Sequence, residues 1–213
     1  MIETILALIA SYILGSIPFG YLITKLSTKK NLLEIGWKKN SGSNVYKNVG
    51  KWQGATTFIL DVAKGYLAVY ITIALGLPIE IQIISAILAV IGHNWSIFLN
   101  FSGGRGLATL IGALLVFDPI YLAIVLIPCI IFTIIWTASV GTLLSFLAGI
   151  ILSLSISDYS LPGIILSIAL VPVLIKRLSP FHELQGKREL IENRLFFDQD
   201  TVPPLRIKKK RPL

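Results

Sequence analysis

The sequence predicts an all-α integral membrane protein with seven transmembrane helices, and three observations support this fold class. First, 54% of the 213 residues are hydrophobic and only 14% are charged, whereas a soluble domain carries roughly 25% charged residues. Second, the mean hydropathy is +0.79. Third, uncharged apolar stretches recur, and several approach the ~20 residues that a helix needs to cross a bilayer. No cleaved signal peptide is expected, because no basic segment precedes the first apolar run and no A-x-A site follows it.

The apolar stretches and the turn residues between them define the predicted spans. The spans cover about 3–24, 52–77, 79–99, 105–117, 120–137, 140–157 and 160–176. Proline and aspartate residues at 78, 118–119 and 158–162 supply the turns on one side. The uncharged part of the fourth span, Gly106–Phe117, reaches only about 18 Å at 1.5 Å per residue. We therefore expect that span to begin inside the bilayer or to be packed by neighbouring helices.

The positive charges predict the orientation of these spans. Seven lysines lie in residues 25–51 and ten Lys or Arg residues lie from 176 onward, out of 19 in all. Basic loops stay in the cytoplasm, so the 25–51 loop and the C-terminus are predicted to be cytoplasmic and the N-terminus to be outside. The predicted organisation is a transmembrane domain, 1–177, followed by a basic cytoplasmic tail, 178–213. The RIKKKRPL end of the tail is expected to contact anionic lipid headgroups rather than nucleic acid.

A glycine-rich loop with one cation, FSGGRGLAT at 101–109, lies at the cytoplasmic start of the fourth span. It is neither a P-loop nor a dinucleotide fingerprint. Free N–H groups at a helix N-terminus, a glycine backbone and the guanidinium of Arg105 would together bind an anion. The alternative is that Arg105 anchors the helix at the interface and that Gly103, Gly104 and Gly106 only turn the chain.

Asp61, Lys64 and His93 are ionisable residues within the second and third predicted spans. Asp61 and Lys64 are three residues apart and share one face of the second span. Ionisable groups at this depth are costly and usually mark a functional site, although the two could also be a self-neutralising pair that locks helix packing. His93 lies near the cytoplasmic end of the third span, as a structural hydrogen-bonding residue or as a catalytic group. No His, Cys or Asp cluster has metal-ligand spacing, so no metal is predicted.

A second loop on the same side, 38–52, reads KKNSGSNVYKNVGKW and combines small polar turn formers at 41–44 with four lysines around them. Taken alone, it is typical of a solvated cytoplasmic turn. Together with the glycine loop and the Asp61–Lys64 pair, it favours a site for an anionic substrate at the inner leaflet.

Four stretches in this order resemble the acyl-phosphate:glycerol-3-phosphate acyltransferases, the PlsY family. The segment 15–23, GSIPFGYLI, is similar to the family's first-helix signature, and 41–50 resembles a shortened S-G-N…N-x-x-R loop. DVAKG at 61–65 matches D-x-x-K-G. GHNWSIFLNFSGGRGLAT at 92–109 is similar to G-H-x-x-P-x-F-x-x-F-x-G-G-K-G-x-A-T.

The resemblance implies an enzyme of the cell inner membrane with a cytoplasm-facing site and no cofactor. Such an enzyme transfers a fatty acyl group from acyl phosphate to the sn-1 hydroxyl of glycerol 3-phosphate, forming lysophosphatidic acid and phosphate. The implied catalytic residues are Ser41, Asn44 and His93, with Asp61 orienting. The implied phosphate-binding residues are Lys47, Lys64, Gly103, Gly104, Arg105 and Gly106.

The chain departs from the family pattern at several positions. The first loop is about three residues shorter, Lys47 stands for the motif arginine, and Arg105 stands for the motif lysine. Ser96 replaces the motif proline, and His182 is offset from the histidine that follows the family's last helix. These differences favour a divergent active branch or a paralogue with an altered substrate. A transporter or channel for an organic anion, and a catalytically silent scaffold, are the remaining alternatives.

Overall fold

A computed structural model describes residues 1–183 and 187–197, apart from the side chain of His182. Within these ranges the regular structure is helical and contains no strand. The α-helices are α1 (Ile2–Ser16), α2 (Phe19–Thr28), α3 (Gly42–Asn48), α4 (Lys51–Ala74), α5 (Ile79–Asn94), α6 (Leu107–Phe117), α7 (Pro119–Ile135), α8 (Ala138–Ser155), α9 (Ser160–Leu178) and α10 (Arg188–Glu192). Short 3-10 turns cover Leu32–Glu34, Ile97–Leu99, Ser157–Tyr159 and Phe181–Glu183, and a π-helical turn covers Asn193–Phe197.

In the described part of the chain, five helical segments are long and apolar enough to cross a membrane, so the chain has the character of a multi-pass membrane protein. They are Ile2–Thr28, Lys51–Ala74, Ile79–Leu99, Ala138–Ser155 and Ser157–Leu178. Two shorter apolar helices, Leu107–Phe117 and Pro119–Ile135, correspond to the fourth and fifth predicted spans. Each of the seven predicted segments is thus helical, while the seven-span count and the orientation of the termini stay predictions.

The first span is interrupted at Ile17–Pro18, between α1 and α2. Proline removes a backbone donor and displaces its neighbours from helical geometry, so groups around the break need other partners. Lys64 Nζ donates to the Ile17 carbonyl at 2.9 Å, and the Tyr21 N–H donates to Asn40 Oδ1 at 2.9 Å. Side chains from two other segments therefore complete the hydrogen bonds of a broken membrane helix, as such breaks require.

The short helix α6 is held closely against α4 by glycines on both helices. A Cβ at Gly65 would overlap the backbone of Thr109, and a Cβ at Gly112 would overlap the Val62 carbonyl. Small residues let helix backbones approach in membranes. Eleven residues reach only about 17 Å. A span this short is expected to begin inside the bilayer or to be packed by neighbouring helices, and the close contact with α4 is packing of the second kind.

The C-terminal segment folds back onto the helix bundle. Its π-helical turn packs against α8 and α9, Thr137 Oγ1 donates to the Phe196 carbonyl at 3.0 Å, and Arg177 donates to the Leu195 carbonyl at 3.0 Å. A structured segment near 187–197 is thus present within the predicted tail. The RIKKKRPL end lies outside the described residues.

Candidate active site

A cleft of about 250 Å³ lies where the ends of several helices meet. Its polar wall comes from the loop before α3, from the middle of α4, from the end of α5 and from the glycine loop before α6. Its apolar wall comes from α4, α6, α7 and α8. The lining includes Lys39, Ser41, Asp61, His93, Gly104, Arg105, Gly106, Leu107, Cys129, Ala138 and Thr142.

Asp61, Lys64 and His93 form a buried trio beside the cleft. Lys64 Nζ lies 2.8 Å from Asp61 Oδ1, and His93 Nδ1 lies 3.5 Å from the same oxygen. Each of the three is at most 3% exposed. The i, i+3 spacing on α4 places Asp61 and Lys64 on one face, and α5 brings His93 to that face. Asp61 therefore lies within ion-pair distance of both a cation and an imidazole.

The glycine loop 103–106 is shaped by close backbone contacts. A Cβ at Gly103 would overlap the carbonyls of His93 and Asn94, and a Cβ at Gly104 would overlap His93 Nε2 and the Asn40 carbonyl. The Gly104 N–H donates to the His93 carbonyl at 3.1 Å. Gly106 has φ +70, a left-handed conformation that favours glycine. The helix α6 begins directly after Gly106 without a side-chain cap, and its first residues, Leu107 and Ala108, line the cleft.

Arg105 lies in this loop, partly buried, with its side chain lining the cleft. Burial, with a smaller contribution from the positive charge of Arg177, lowers the pKa of Arg105 to about 9. The guanidinium is therefore still charged at neutral pH, and an anion in the cleft would stabilise that charge. The N-terminus of α6 adds a partial positive charge at the same place. A guanidinium beside a helix N-terminus is a site suited to phosphate.

The residues of the loop 37–44 divide into a cleft group and a loop-stabilising group. Ser41 lines the cleft and caps α3 by accepting from the Asn44 N–H at 3.3 Å. The Asn44 side chain is fully buried: Oδ1 accepts from the Trp37 N–H at 3.1 Å, and Nδ2 donates to the Ile35 and Lys39 carbonyls at 3.2 and 2.9 Å. The Asn44 side chain thus reaches from α3 to the backbone of the preceding loop, which it supports, and it does not line the cleft.

Three residues to which the resemblance assigns phosphate binding also lie away from the cleft lining. Lys47 is exposed, with Nζ 5.0 Å from the centre of the Trp37 ring. Lys64 is directed to Asp61 and to the Ile17 carbonyl. Gly103 packs against the end of α5, and its carbonyl accepts from the Asn40 N–H at 3.3 Å. By contrast, the structure brings Ser41, Asp61, His93, Gly104, Arg105 and Gly106 together in one cleft.

The structure also reveals two contributors that the sequence reasoning missed. Lys39 lines the cleft, but among seven lysines of one loop it carries no distinguishing sequence signal. Asn40 is 1% exposed and connects three segments, because it contacts Tyr21 through its side chain and Gly103 through its backbone. A polar residue directly before the Ser41 motif is the only signal that could have indicated it.

One of the departures from the family pattern lies just after α5, close in sequence to His93. Ser96, in place of the motif proline, is fully buried and donates to the Ser16 carbonyl at 2.5 Å, a bond that proline could not form. It also accepts from the Phe98 N–H at 3.2 Å, so it ties the end of α5 to the break in the first span. The side chain of His182 lies outside the described part of the structure.

An apolar cavity continues from the cleft into the helix bundle. Leu107, Ile111, Cys129 and Thr142 line both spaces. The cavity runs between α6, α7, α8 and α9, and its further lining is almost entirely aliphatic and aromatic: Leu110, Leu114, Leu122, Val125, Leu126, Phe146 and Leu166. A polar, cationic cleft and an apolar cavity therefore lie side by side and share part of their lining.

The comparisons with known proteins agree with this architecture. A family model described as glycerol-3-phosphate acyltransferase matches residues 5–183. The chain is 34% identical over 206 residues to glycerol-3-phosphate acyltransferase 5 of Dehalococcoides mccartyi (strain ATCC BAA-2266 / KCTC 15142 / 195), covering 92% of this chain and 88% of the relative. It is 37% identical over 167 residues to a glycerol-3-phosphate acyltransferase of Lactococcus lactis subsp. lactis (strain IL1403), covering 78% of each.

A solved structure shares the fold. PlsY (YgiH), described as an integral membrane glycerol 3-phosphate acyltransferase in its glycerol 3-phosphate form, superposes with a TM-score of 0.74. The alignment covers 87% of this chain and 94% of that chain at 22% identity, so it supports the helical membrane fold alone. The family match over most of the chain, together with relatives that are more than 30% identical, shows that this protein belongs to the glycerol-3-phosphate acyltransferase family.

Proposed function

We propose that this protein transfers a fatty acyl group from acyl phosphate to the sn-1 hydroxyl of glycerol 3-phosphate, forming lysophosphatidic acid and phosphate at the cytoplasmic face of the cell membrane. The observation that supports this proposal is a cleft that joins a cationic, glycine-lined end to an apolar cavity between membrane helices. Acyl phosphate has the same two parts, a phosphate head and an aliphatic chain. The basic 25–51 loop borders the polar end, which favours a cytoplasmic position.

The phosphate of acyl phosphate is assigned to Arg105 and the N-terminus of α6, with Lys39 and Ser41 on the facing loop. Acyl phosphate is an activated donor whose leaving group is phosphate. The negative charge on that phosphate grows as the carbon–oxygen bond breaks, so fixed cations and N–H dipoles stabilise the transition state. Holding both substrates in one cleft removes much of the remaining entropic barrier.

His93 is assigned as the group that accepts the proton of the attacking hydroxyl. The sn-1 oxygen forms a bond to the acyl carbon, the bond from that carbon to the phosphate oxygen breaks, and phosphate leaves with the electron pair. The hydroxyl proton moves to His93 Nε2 and is then passed to the departing phosphate. Asp61, 3.5 Å from His93 Nδ1, holds the imidazole so that Nε2 is directed toward the glycine loop.

A donor assay tests the reaction. The purified full chain in detergent, with palmitoyl phosphate and glycerol 3-phosphate, is expected to release one phosphate per molecule of 1-acyl lysophosphatidic acid, and palmitoyl-CoA is expected to give no product. Sealed inverted vesicles should use glycerol 3-phosphate added outside, and right-side-out vesicles should not. Product from palmitoyl-CoA would refute the assigned donor. Uptake of glycerol 3-phosphate into liposomes without acyl transfer would instead establish the transporter alternative.

His93→Gln tests the assigned proton acceptor. We expect kcat to fall about 100-fold or more with KM for glycerol 3-phosphate changed less than threefold, because general base catalysis contributes roughly 10²–10⁴-fold. Tyr12→Phe is the control: it removes a hydroxyl that donates to the Trp95 carbonyl at the same helix end without touching the cleft, and it should retain kcat. If His93→Gln kept more than a tenth of kcat, the proton would have to pass directly to a substrate phosphate oxygen.

A further inference from the structure

Arg177, at the end of α9, is a buried arginine that the proposed reaction leaves without a role. It is 1% exposed. Its Nη1 donates to the Leu195 carbonyl at 3.0 Å and approaches the Ser139 carbonyl at 3.4 Å, and its Nε has no hydrogen-bond acceptor among the described residues. No carboxylate in residues 1–183 and 187–197 lies within ion-pair distance of it. A buried charge without a counterion is costly, so its presence calls for an explanation.

Arg177 lies directly behind the wall of the cleft. The carbonyl that it approaches belongs to Ser139, and the preceding residue, Ala138, lines the cleft. Its positive charge also acts on Arg105, which stands in the cleft lining. The two like charges repel each other, and an anion in the cleft would interact favourably with both.

Arg194 provides an internal comparison, because it is a second buried arginine in the same part of the fold. It is 3% exposed and donates to the Leu178 and Pro180 carbonyls at 3.1 and 3.2 Å, much as Arg177 binds backbone carbonyls. Unlike Arg177, it forms an ion pair with Glu183. The carbonyl contacts are therefore common to both arginines, whereas within residues 1–183 and 187–197 only Arg194 of the two has a carboxylate partner.

We propose that Arg177 is a positioning residue whose charge, acting through the cleft wall, strengthens the binding of a phosphate dianion beside Arg105. This inference rests on the proposed function, because it assigns the anion to the phosphate site of that reaction. A charge in a protein interior is less screened than one in water, so a guanidinium need not touch the phosphate to stabilise it. The competing explanation is that Arg177 only joins α8 to the C-terminal segment through its two carbonyl contacts.

Phosphate binding by the purified full chain separates the two explanations. Inorganic phosphate is the probe, and its Kd is taken from the rise in Tm with phosphate concentration at constant ionic strength. We expect Arg177→Gln to weaken phosphate binding at least tenfold. Arg177→Lys loses the fixed guanidinium geometry but keeps the charge. Because the proposal depends on the charge, Kd for phosphate in this variant should stay within threefold of the wild-type value. Arg194→Gln should lower Tm without phosphate yet keep Kd within twofold.

An unchanged Kd in Arg177→Gln, or a Kd in Arg177→Lys weakened as much as tenfold, would overturn the proposal. If the glutamine variant does not fold, Arg177→Met removes the same charge in its place, and a Kd within threefold of wild type in that variant would overturn the proposal. Failure of the proposed function has a different signature, in which the wild type binds phosphate but makes no lysophosphatidic acid from acyl phosphate. A wild type that binds no phosphate would reject the role of Arg177 whatever its activity.

Discussion

Arg105→Gln is expected to lower kcat/KM for acyl phosphate by about 100- to 1,000-fold, which is the usual cost of removing one preorganised donor from a transition state. Arg105 is the cleft cation that stands beside the N-terminus of α6, and its pKa of about 9 keeps it charged at the pH of the assay. Arg105→Lys should recover activity to within about tenfold of wild type, since it restores the charge but not the two parallel donors of a guanidinium. Steady-state kinetics with palmitoyl phosphate measure both effects.

Lys51→Gln is the matched control for this prediction. Lys51 is exposed at the start of α4, on the same basic side of the protein, and does not line the cleft. Its loss lowers the net charge by the same amount and should leave kcat/KM within threefold of wild type. If Arg105→Gln retained more than a third of wild-type kcat/KM, or if Lys51→Gln lost as much as Arg105→Gln, the phosphate assignment would be wrong.

Asp61→Asn is expected to lower the free energy of unfolding by about 3–5 kcal/mol, because it leaves the buried Lys64 ammonium without its counterion. For a chain of this size the loss corresponds to a fall in Tm of roughly 6–20 °C. The double variant Asp61→Asn/Lys64→Met removes both charges and should recover much of that Tm. Activity should be lost in both variants, because neither retains the carboxylate that orients His93. Thermal unfolding in detergent, paired with the acyl phosphate assay, gives both readouts.

Asp118→Asn is the control for replacing an aspartate carboxylate by an amide. Asp118 caps α7 by accepting from the N–H groups of Ile120 and Tyr121 at 2.9 and 2.8 Å, and asparagine caps helices about as well. This variant should therefore keep both Tm and activity close to wild type. Recovery of full activity in Asp61→Asn/Lys64→Met would show that Asp61 and Lys64 only stabilise helix packing and that Asp61 has no role in the mechanism.

Some site features could be predicted from local sequence because they depend on spacing along one element. Asp61 and Lys64 meet through helical periodicity, and Arg105 with Gly104 and Gly106 forms a helix N-terminus through adjacency in the chain. Other features depend on contacts between distant segments. Asn44 looks like a substrate-binding residue in its motif, yet its amide is used by the backbone of its own loop, and Asn40 beside it serves the first span and the glycine loop.

The sequence by itself determined the helical membrane class, the positions of the seven apolar segments, and the order of the motifs that indicated the family. It could do so because hydrophobic length, charge and motif spacing are properties of consecutive residues. Only the tertiary structure decided that His93 lies beside Asp61, that Lys64 donates to a carbonyl at the break in the first span, and that an apolar cavity adjoins the cleft. These depend on which helix faces meet, and in a membrane small residues such as Gly65 and Gly112 let the α4 and α6 backbones approach this closely.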